Sequence, residues 1–301
     1  MNKVLILGGN GYIGTYLTEL LEEAKFDVTA YGSRTKDYNR LDASFIGEFR
    51  TVILLAGHSS VQMCAGDLKS PWNNNVRNFD NLVQKLDEHQ RLIYASSSSV
   101  YGNRGEKVYT EQDINLEFVN NYDLTKVSLD LLAQKYMSQG RDIIGLRFGT
   151  VNGGSPVIRR DLMLNSMMYS AMFRGNITVN NKHVRRPILS IKDLGRAIIT
   201  ILNTATHGIA PSQNRIYNLA SFNSTVEEMA GLVSDITGVK IVDTGTKPGI
   251  YDFETSTSKF EKHYGFKFLD TAESIILDIR DRYKMPRCEI VTRSEYFKYE
   301  N

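Results

Sequence analysis

The chain has 301 residues, 42% of them hydrophobic, with 36 Lys and Arg against 34 Asp and Glu and a net charge of +2. That is ordinary globular composition, with apolar material for one large domain or two moderate ones. The basic residues are scattered, no run reaches the roughly 18 apolar residues of a bilayer span, and no signal-like segment opens the chain. A soluble, cytoplasmic protein without nucleic-acid or membrane partners is expected.

The N-terminal half alternates short apolar runs with amphipathic stretches. Val4–Leu7, Val28–Tyr31, Val52–Leu55, Leu92–Ala95 and Ile143–Phe148 are rich in Val, Ile and Leu and unalternated. Strands buried on both faces of a parallel sheet read this way. Helical patterns lie between them at Tyr12–Ala24, Trp72–His89 and Tyr122–Gln139. The alternation predicts an α/β fold with a doubly wound parallel (Rossmann) sheet.

Beyond Val151 the turn cluster Gly153-Gly154-Ser155-Pro156 precedes a helical segment, Asp161–Arg174, and a short strand, Ile177–Val179. Asp193 is a candidate cap for a helix Leu194–Leu202, and Ile216–Ala220 reads as a strand. Ser224-Thr225 precedes a helix Val226–Thr237 that ends at Gly238, and a last helix covers Thr271–Tyr283. The tail beyond Pro286 carries no assignable element. The expected organisation is a dinucleotide-binding domain over 1–150, also receiving about 188–220, and a smaller α/β substrate domain from 151–187 and 221–301.

Gly8, Gly11 and Gly14 are spaced GxxGxxG between the first strand and the first helix, a run that includes Tyr12 and Ile13. A dinucleotide pyrophosphate needs a tight turn, close backbone approach and a helix N-terminus for its charge, and such glycines permit all three. The second strand ends without the carboxylate that would bind the ribose of NAD; Ser33 and Arg34 stand there instead. Arg34 suits a 2′-phosphate, so NADP is favoured and NAD is kept as the alternative. Asp42 is a candidate for the adenine edge. Cys64 and Cys288 form no CxxC pair and read as thiols of a reducing compartment, and no metal-binding spacing exists.

Tyr122 and Lys126 lie four apart at the start of a predicted helix and so share a face. A phenol is a poor base at neutral pH. A nearby ammonium lowers its pKa and lets it exchange a proton with a substrate oxygen while hydride passes to or from a nicotinamide. Ser96-Ser97-Ser98-Ser99 follow the strand Leu92–Ala95, where strand ends meet ligands and hydroxyls can hold a reacting oxygen. His58 follows the run Val52–Leu55 near the expected cofactor edge and is a candidate substrate contact.

Gly8-x-x-Gly11-x-x-Gly14, Ser97 with Val100-Tyr101-Gly102, and Tyr122-x-x-x-Lys126 occur together in order. Over nearly the whole chain this resembles the extended short-chain dehydrogenase/reductases, the NAD-dependent epimerase/dehydratase family that mostly modifies nucleotide sugars. The resemblance implies Ser97 as the residue polarising the substrate oxygen, Tyr122 as the acid/base, and Lys126 as the residue binding the nicotinamide ribose. It places Ala56-Gly57 and Asn75 beside the cofactor and Arg186 at a substrate phosphate, with Arg159, Arg160 and Arg185 as further candidates. It also implies a homodimer built on Trp72–His89 and Tyr122–Gln139.

Two departures narrow the expectation. Sugar 4,6-dehydratases of the family follow their catalytic hydroxyl residue with Asp-Glu, where this chain has Ser98 and Ser99, so dehydration is disfavoured. Thr150 replaces an Asn that usually contacts substrate. The expected activity is a keto-sugar reductase or an epimerase on a nucleotide-activated sugar. Alternatives are the same chemistry on a sugar phosphate or another hydroxyl or ketone substrate, or a non-catalytic NADP-sensing protein.

Overall fold

The computed structural model describes residues 3–32, 38–102, 107–204, 214–284 and 289–291. Six parallel strands form one sheet in the order Ile216–Leu219, Asp142–Phe148, Arg91–Ser97, Thr51–Leu54, Lys3–Leu7, Asp27–Tyr31. From Lys3–Leu7 the chain first adds a strand on one side and then crosses to the other for Thr51–Leu54. That reversal opens a crevice at the strand C-termini, where ligands bind in open α/β sheets.

The strands read as unbroken apolar runs because both faces are covered. Val4, Ile6, Ile53 and Ile93 pack on one face with Leu17 and Leu21 of the helix Tyr12–Glu23 and Leu194, Ile198 and Ile201 of the helix Ile191–Asn203. Leu5, Leu7, Val52 and Leu92 pack on the other with Phe79 and Val83 of Asn78–Lys85 and Leu129 and Ala133 of Asn121–Ser138. The doubly wound α/β expectation holds.

Two elements differ from the sequence reading. The helix expected over Trp72–His89 begins at Lys69, widens into a π-helical turn over Asn73–Arg77, and ends at Lys85, where Leu86 is extended. Asp193 is not a cap: Ser190 caps the helix through Lys192 N–H, one turn earlier. Asp193 lies inside the first turn, buried, where it pairs with Arg196 and accepts from Ser221 Oγ and the amides of Leu269 and Asp270.

The remaining elements pack as a second body of structure. The strands Phe222–Thr225, Arg185–Ser190 and Thr150–Asn152 form a three-stranded sheet, and Asn176–Val179 pairs with Lys240–Asp243. The helices Met163–Arg174, Val226–Thr237 and Ala272–Lys284 share a third apolar cluster that buries Met167 and Met168. The helix Val226–Thr237 starts on a capping box between Thr225 and Glu228 and ends at Gly238 in a left-handed conformation, as its sequence signals require.

The two bodies are joined at the first glycine-loop helix. Tyr12 Oη donates to Gly153 O at 2.9 Å, Ser155 Oγ donates to Tyr12 O at 2.7 Å, and the Thr15 and Ser155 hydroxyls lie 3.1 Å apart. The Gly153-Gly154-Ser155 turn is thereby fixed against the helix start, and one cleft runs between the two bodies.

Candidate active site

A cleft of about 1400 Å³ lies over the C-terminal ends of the central strands. Its floor is the glycine loop. Gly8 has φ 100°, and the Gly8 and Gly9 amides both donate to Tyr31 O. A Cβ on Gly14 would stand 2.1 Å from Gly8 O and 2.7 Å from Gly9 Cα, so no side chain fits there. No side chain caps the N-terminus of the helix Tyr12–Glu23, and Gly11, Tyr12 and Ile13 line the cleft. An open helix N-terminus on a glycine turn suits an anionic pyrophosphate, so the residues fit a dinucleotide. Tyr12 does so through its backbone only, since its phenol is spent on Gly153.

At the expected adenosine end one candidate is displaced and two, Ser33 and Arg34, lie outside the described residues. Asp42 is exposed at the start of the short helix Ala43–Ile46 and does not line the cleft. The intervening turn Tyr38–Arg40 presents Tyr38, Asn39 and Arg40 to the cleft instead.

Ala56 and Gly57 line the cleft beside the glycine loop. Asn75 is placed behind them. Its Oδ1 accepts from His58 N–H at 2.8 Å, and its Nδ2 donates to His58 O and to Thr125 Oγ1, both at 3.1 Å. The expected cofactor contact is therefore a tie: Asn75, 3% exposed, fastens the Ala56-Gly57-His58 turn to the helix Asn121–Ser138. Gly57, at φ 143°, permits this, because a Cβ there would lie 2.6 Å from Asn75 Oδ1.

Ser97, Tyr122 and Lys126 come together on the cleft wall. Ser97 ends the strand Arg91–Ser97 and caps the following turn, its Oγ accepting from Ser99 N–H at 3.1 Å. Tyr122 sits in the first turn of the helix Asn121–Ser138, and its phenol shares the cleft wall with Ser97. Burial pushes that phenol up to about 12, and the nearby Ser97 hydroxyl acts the other way. Lys126 Nζ is 5.8 Å from the centre of the Tyr122 ring and donates to Ala95 O at 3.0 Å. The expectation that the ammonium would pull Tyr122 down is thus corrected: desolvation dominates, and Tyr122 holds its proton at neutral pH.

Burial also lowers Lys126 to about 8, against the opposing charge of Asp130. Between about 8 and 10.5 the unfolded chain keeps a proton that the folded chain has lost, so stability rises with pH across that window. Below it the full cost of the buried charge is present. Lys126→Met should therefore stabilise the dinucleotide-free protein near pH 7 by about 1–3 kcal/mol and flatten that slope while impairing turnover. Urea denaturation near pH 7 and near pH 10 measures both effects.

Around the substrate side, Ser98, His58, Thr150 and Arg186 all line the cleft. Arg186 donates from Nη1 to Tyr251 O at 2.9 Å and lies 5.5 Å above the Tyr251 ring. Arg159 also lines it and is held by Asp161 in a two-point pair and by Ser59 Oγ at 3.0 Å. Arg160 turns away to stack on Tyr169, and Arg185 pairs with Asp252; neither reaches the cleft. Met163 and Met167 also line it. The sequence reading missed Tyr251 and the Tyr38–Arg40 turn, neither of which falls in a motif.

The model of the NAD dependent epimerase/dehydratase family matches residues 4–220. An uncharacterized UDP-glucose epimerase of Bacillus subtilis (strain 168), YtcB, is 27% identical over 270 residues, covering 79% of this chain and 83% of that protein. MoeE5, solved in complex with UDP-glucuronic acid and NAD, superposes with a TM-score of 0.82 at 20% identity, over 94% of this chain and 99% of that one. TunA, an NAD-dependent NDP-hexosamine 5,6-dehydratase, gives a TM-score of 0.83 at 19% identity, over 94% and 98%. At these identities the structural likeness speaks to the fold.

Proposed function

The chain belongs to the NAD-dependent epimerase/dehydratase family, and from that premise we propose that it exchanges a hydride and a proton at a carbon of a nucleotide-activated sugar, as a keto-sugar reductase or an epimerase. The observation that carries this reading is the convergence of Ser97, Tyr122 and Lys126 on the cleft that the glycine loop floors. The names of YtcB and MoeE5's ligands favour a nucleotide sugar as substrate.

A bound nicotinamide would supply or accept the hydride. Toward a carbonyl, the Tyr122 phenol gives up its proton while the Ser97 hydroxyl polarises the same oxygen. In the reverse direction Tyr122 takes the proton from the substrate hydroxyl. Lys126, held by Ala95 O, keeps a positive charge beside the phenolate that forms. Arg186, with its planar fork of donors, would meet the phosphate end of the substrate. Ser33 and Arg34 favour NADP by the missing carboxylate and the present cation.

Dehydration needs a spare carboxyl group beside the sugar. Among the described residues lining the cleft, Asp161 is the one carboxylate, and Arg159 holds both of its oxygens. Ser98 and Ser99 supply hydroxyls where the 4,6-dehydratases carry acids. Simple redox or epimerisation follows. A homodimer through the two outer helical segments is supported by exposed Leu68, Trp72 and Leu131.

Native mass spectrometry of the purified protein tests the cofactor and the dimer together; a retained mass of NADP and a doubled protein mass are expected. Thermal denaturation with UDP, GDP, CDP or dTDP tests the substrate class. At a hundredfold over Kd a bound nucleotide adds about 2.7 kcal/mol. If none of the four raises Tm, the nucleotide-sugar reading fails.

A further inference from the structure

The helix that carries Tyr122 begins on a cap that its own segment only half builds. Asn120 accepts from Asp123 N–H at 2.9 Å, and its Nδ2 donates to the Asp123 carboxylate at 2.9 Å and to Tyr251 Oη at 2.8 Å. Tyr251 Oη in turn donates to the other Asp123 oxygen at 2.7 Å. Asp123 is the residue after Tyr122 and is 2% exposed. Tyr251 belongs to the far side of the cleft, and its ring and carbonyl both engage Arg186.

We propose that Tyr251 is a positioning residue that links Arg186 to the first helical turn, so that a substrate anion held by Arg186 also fixes the Tyr122 hydroxyl over its target. This rests on the roles given above to Arg186 and Tyr122. The connection is short: guanidinium to Tyr251 carbonyl by a hydrogen bond, through the Tyr251 side chain to its hydroxyl, hydroxyl to Asp123, and Asp123 amide to Asn120. Each bond to the carboxylate is charge-assisted and strongly directional. A shift of the Tyr251 ring under Arg186 therefore moves the turn in which Tyr122 sits.

The same cluster titrates. Burial raises the Asp123 carboxyl to about 6, while hydrogen bonds from Tyr251 and Asn120 draw it down. Tyr251 and Asn120 face Asp123 from the cap, Ser99 from the Ser98–Tyr101 turn; Tyr122 is its chain neighbour, and Arg186 lies behind Tyr251. Removing the Tyr251 hydroxyl takes away a donor to the charged form, so the carboxyl moves further up.

Tyr251→Phe keeps the ring under Arg186 and the carbonyl it bonds, and removes only the hydroxyl. The expected result is a kcat on the nucleotide sugar lowered about ten- to a hundredfold, on the scale of one hydrogen bond to a charged group, with KM little changed. The acidic limb of kcat should move upward in pH, and Asp123→Asn should erase that limb. Tyr251→Ala should raise KM as well, because Arg186 loses its platform. A Tyr251→Phe enzyme with wild-type kcat and an unmoved limb overturns the proposal. So does a loss of kcat that is the same at every pH and matched by a lower Tm, which marks a merely structural hydroxyl. The carboxyl titration is also read without turnover, by ¹³C NMR of Asp123 in both proteins; an unchanged titration overturns the link. Full turnover in Tyr122→Phe would instead sink the reading of the site itself.

Discussion

Replacing Tyr122 with phenylalanine should lower turnover about 10²–10⁴-fold, the usual worth of a positioned acid/base. The phenol is buried and keeps its proton at neutral pH, beside the Ser97 hydroxyl on the same cleft wall. On the proposed reading it donates to a carbonyl oxygen, and the loss should fall on kcat. The ring still fills its place, so the fold and the binding of dinucleotide and nucleoside diphosphate should persist. Thermal shifts with NADP and UDP that match the wild type, beside a collapsed kcat, are the expected pair of results. A drop in Tm comparable to the loss of activity would show that the variant had only unsettled the helix.

The second large effect lies behind the site. Asp130 follows Lys126 by four residues and forms an ion pair with Arg147 at 2.8 Å; the two side chains are 3% and 2% exposed. Tyr94 Oη donates to the free oxygen of Asp130 at 2.8 Å, and Arg147 Nη1 donates to Tyr101 Oη at 3.0 Å and Glu111 O at 3.3 Å. This network clamps the helix Asn121–Ser138 to the strand Asp142–Phe148 at the core of the sheet. Asp130→Asn leaves a buried guanidinium without its counter-charge and should cost about 3–5 kcal/mol in denaturant unfolding. The double variant Asp130→Leu with Arg147→Met should recover much of that loss, because removing both charges also removes their desolvation cost. Equal losses in the single and double variants would contradict the account. The Asp130 charge also supports the Lys126 ammonium, so the single variant should lose activity beyond its loss of stability.

Local signals in the chain specified the framework well. Unalternated Val, Ile and Leu runs occur because both sheet faces are covered, and the glycines at 8 and 14 stand where any Cβ would strike backbone. Tyr122, Lys126 and Ser97 were legible because helix periodicity and a strand end put them on one wall. What the sequence did not disclose depends on contacts between distant segments. Asn75 sits in an Asn-rich stretch, yet its bonds to His58 and Thr125 are made from within a π-helical turn that no local pattern announces. Asp42 was a candidate for the adenine edge, but it stands exposed at the start of the short helix Ala43–Ile46 while the Tyr38–Arg40 turn lines the cleft. Asp193 looked like a cap because it precedes an apolar helix; Ser190 takes the cap, and Asp193 is spent on tertiary bonds. The balance at Tyr122 also escaped, since a neighbouring lysine is visible in sequence and the depth of burial is not.

The account stands most directly on one measurement: absorbance in the reduced-nicotinamide band after mixing the purified protein, with NADPH or NADP, against a panel of nucleotide sugars and their keto forms, with the sugar products identified and Tyr122→Phe run in parallel. The prediction is a change in the band with at least one member of the panel that disappears in the variant: a net loss with a reduced sugar for a reductase, or a transient with an isomerised sugar for an epimerase. Isomerised product with no net cofactor change would exclude the reductase form, and no change with any member, or an equal change in Tyr122→Phe, would contradict the account.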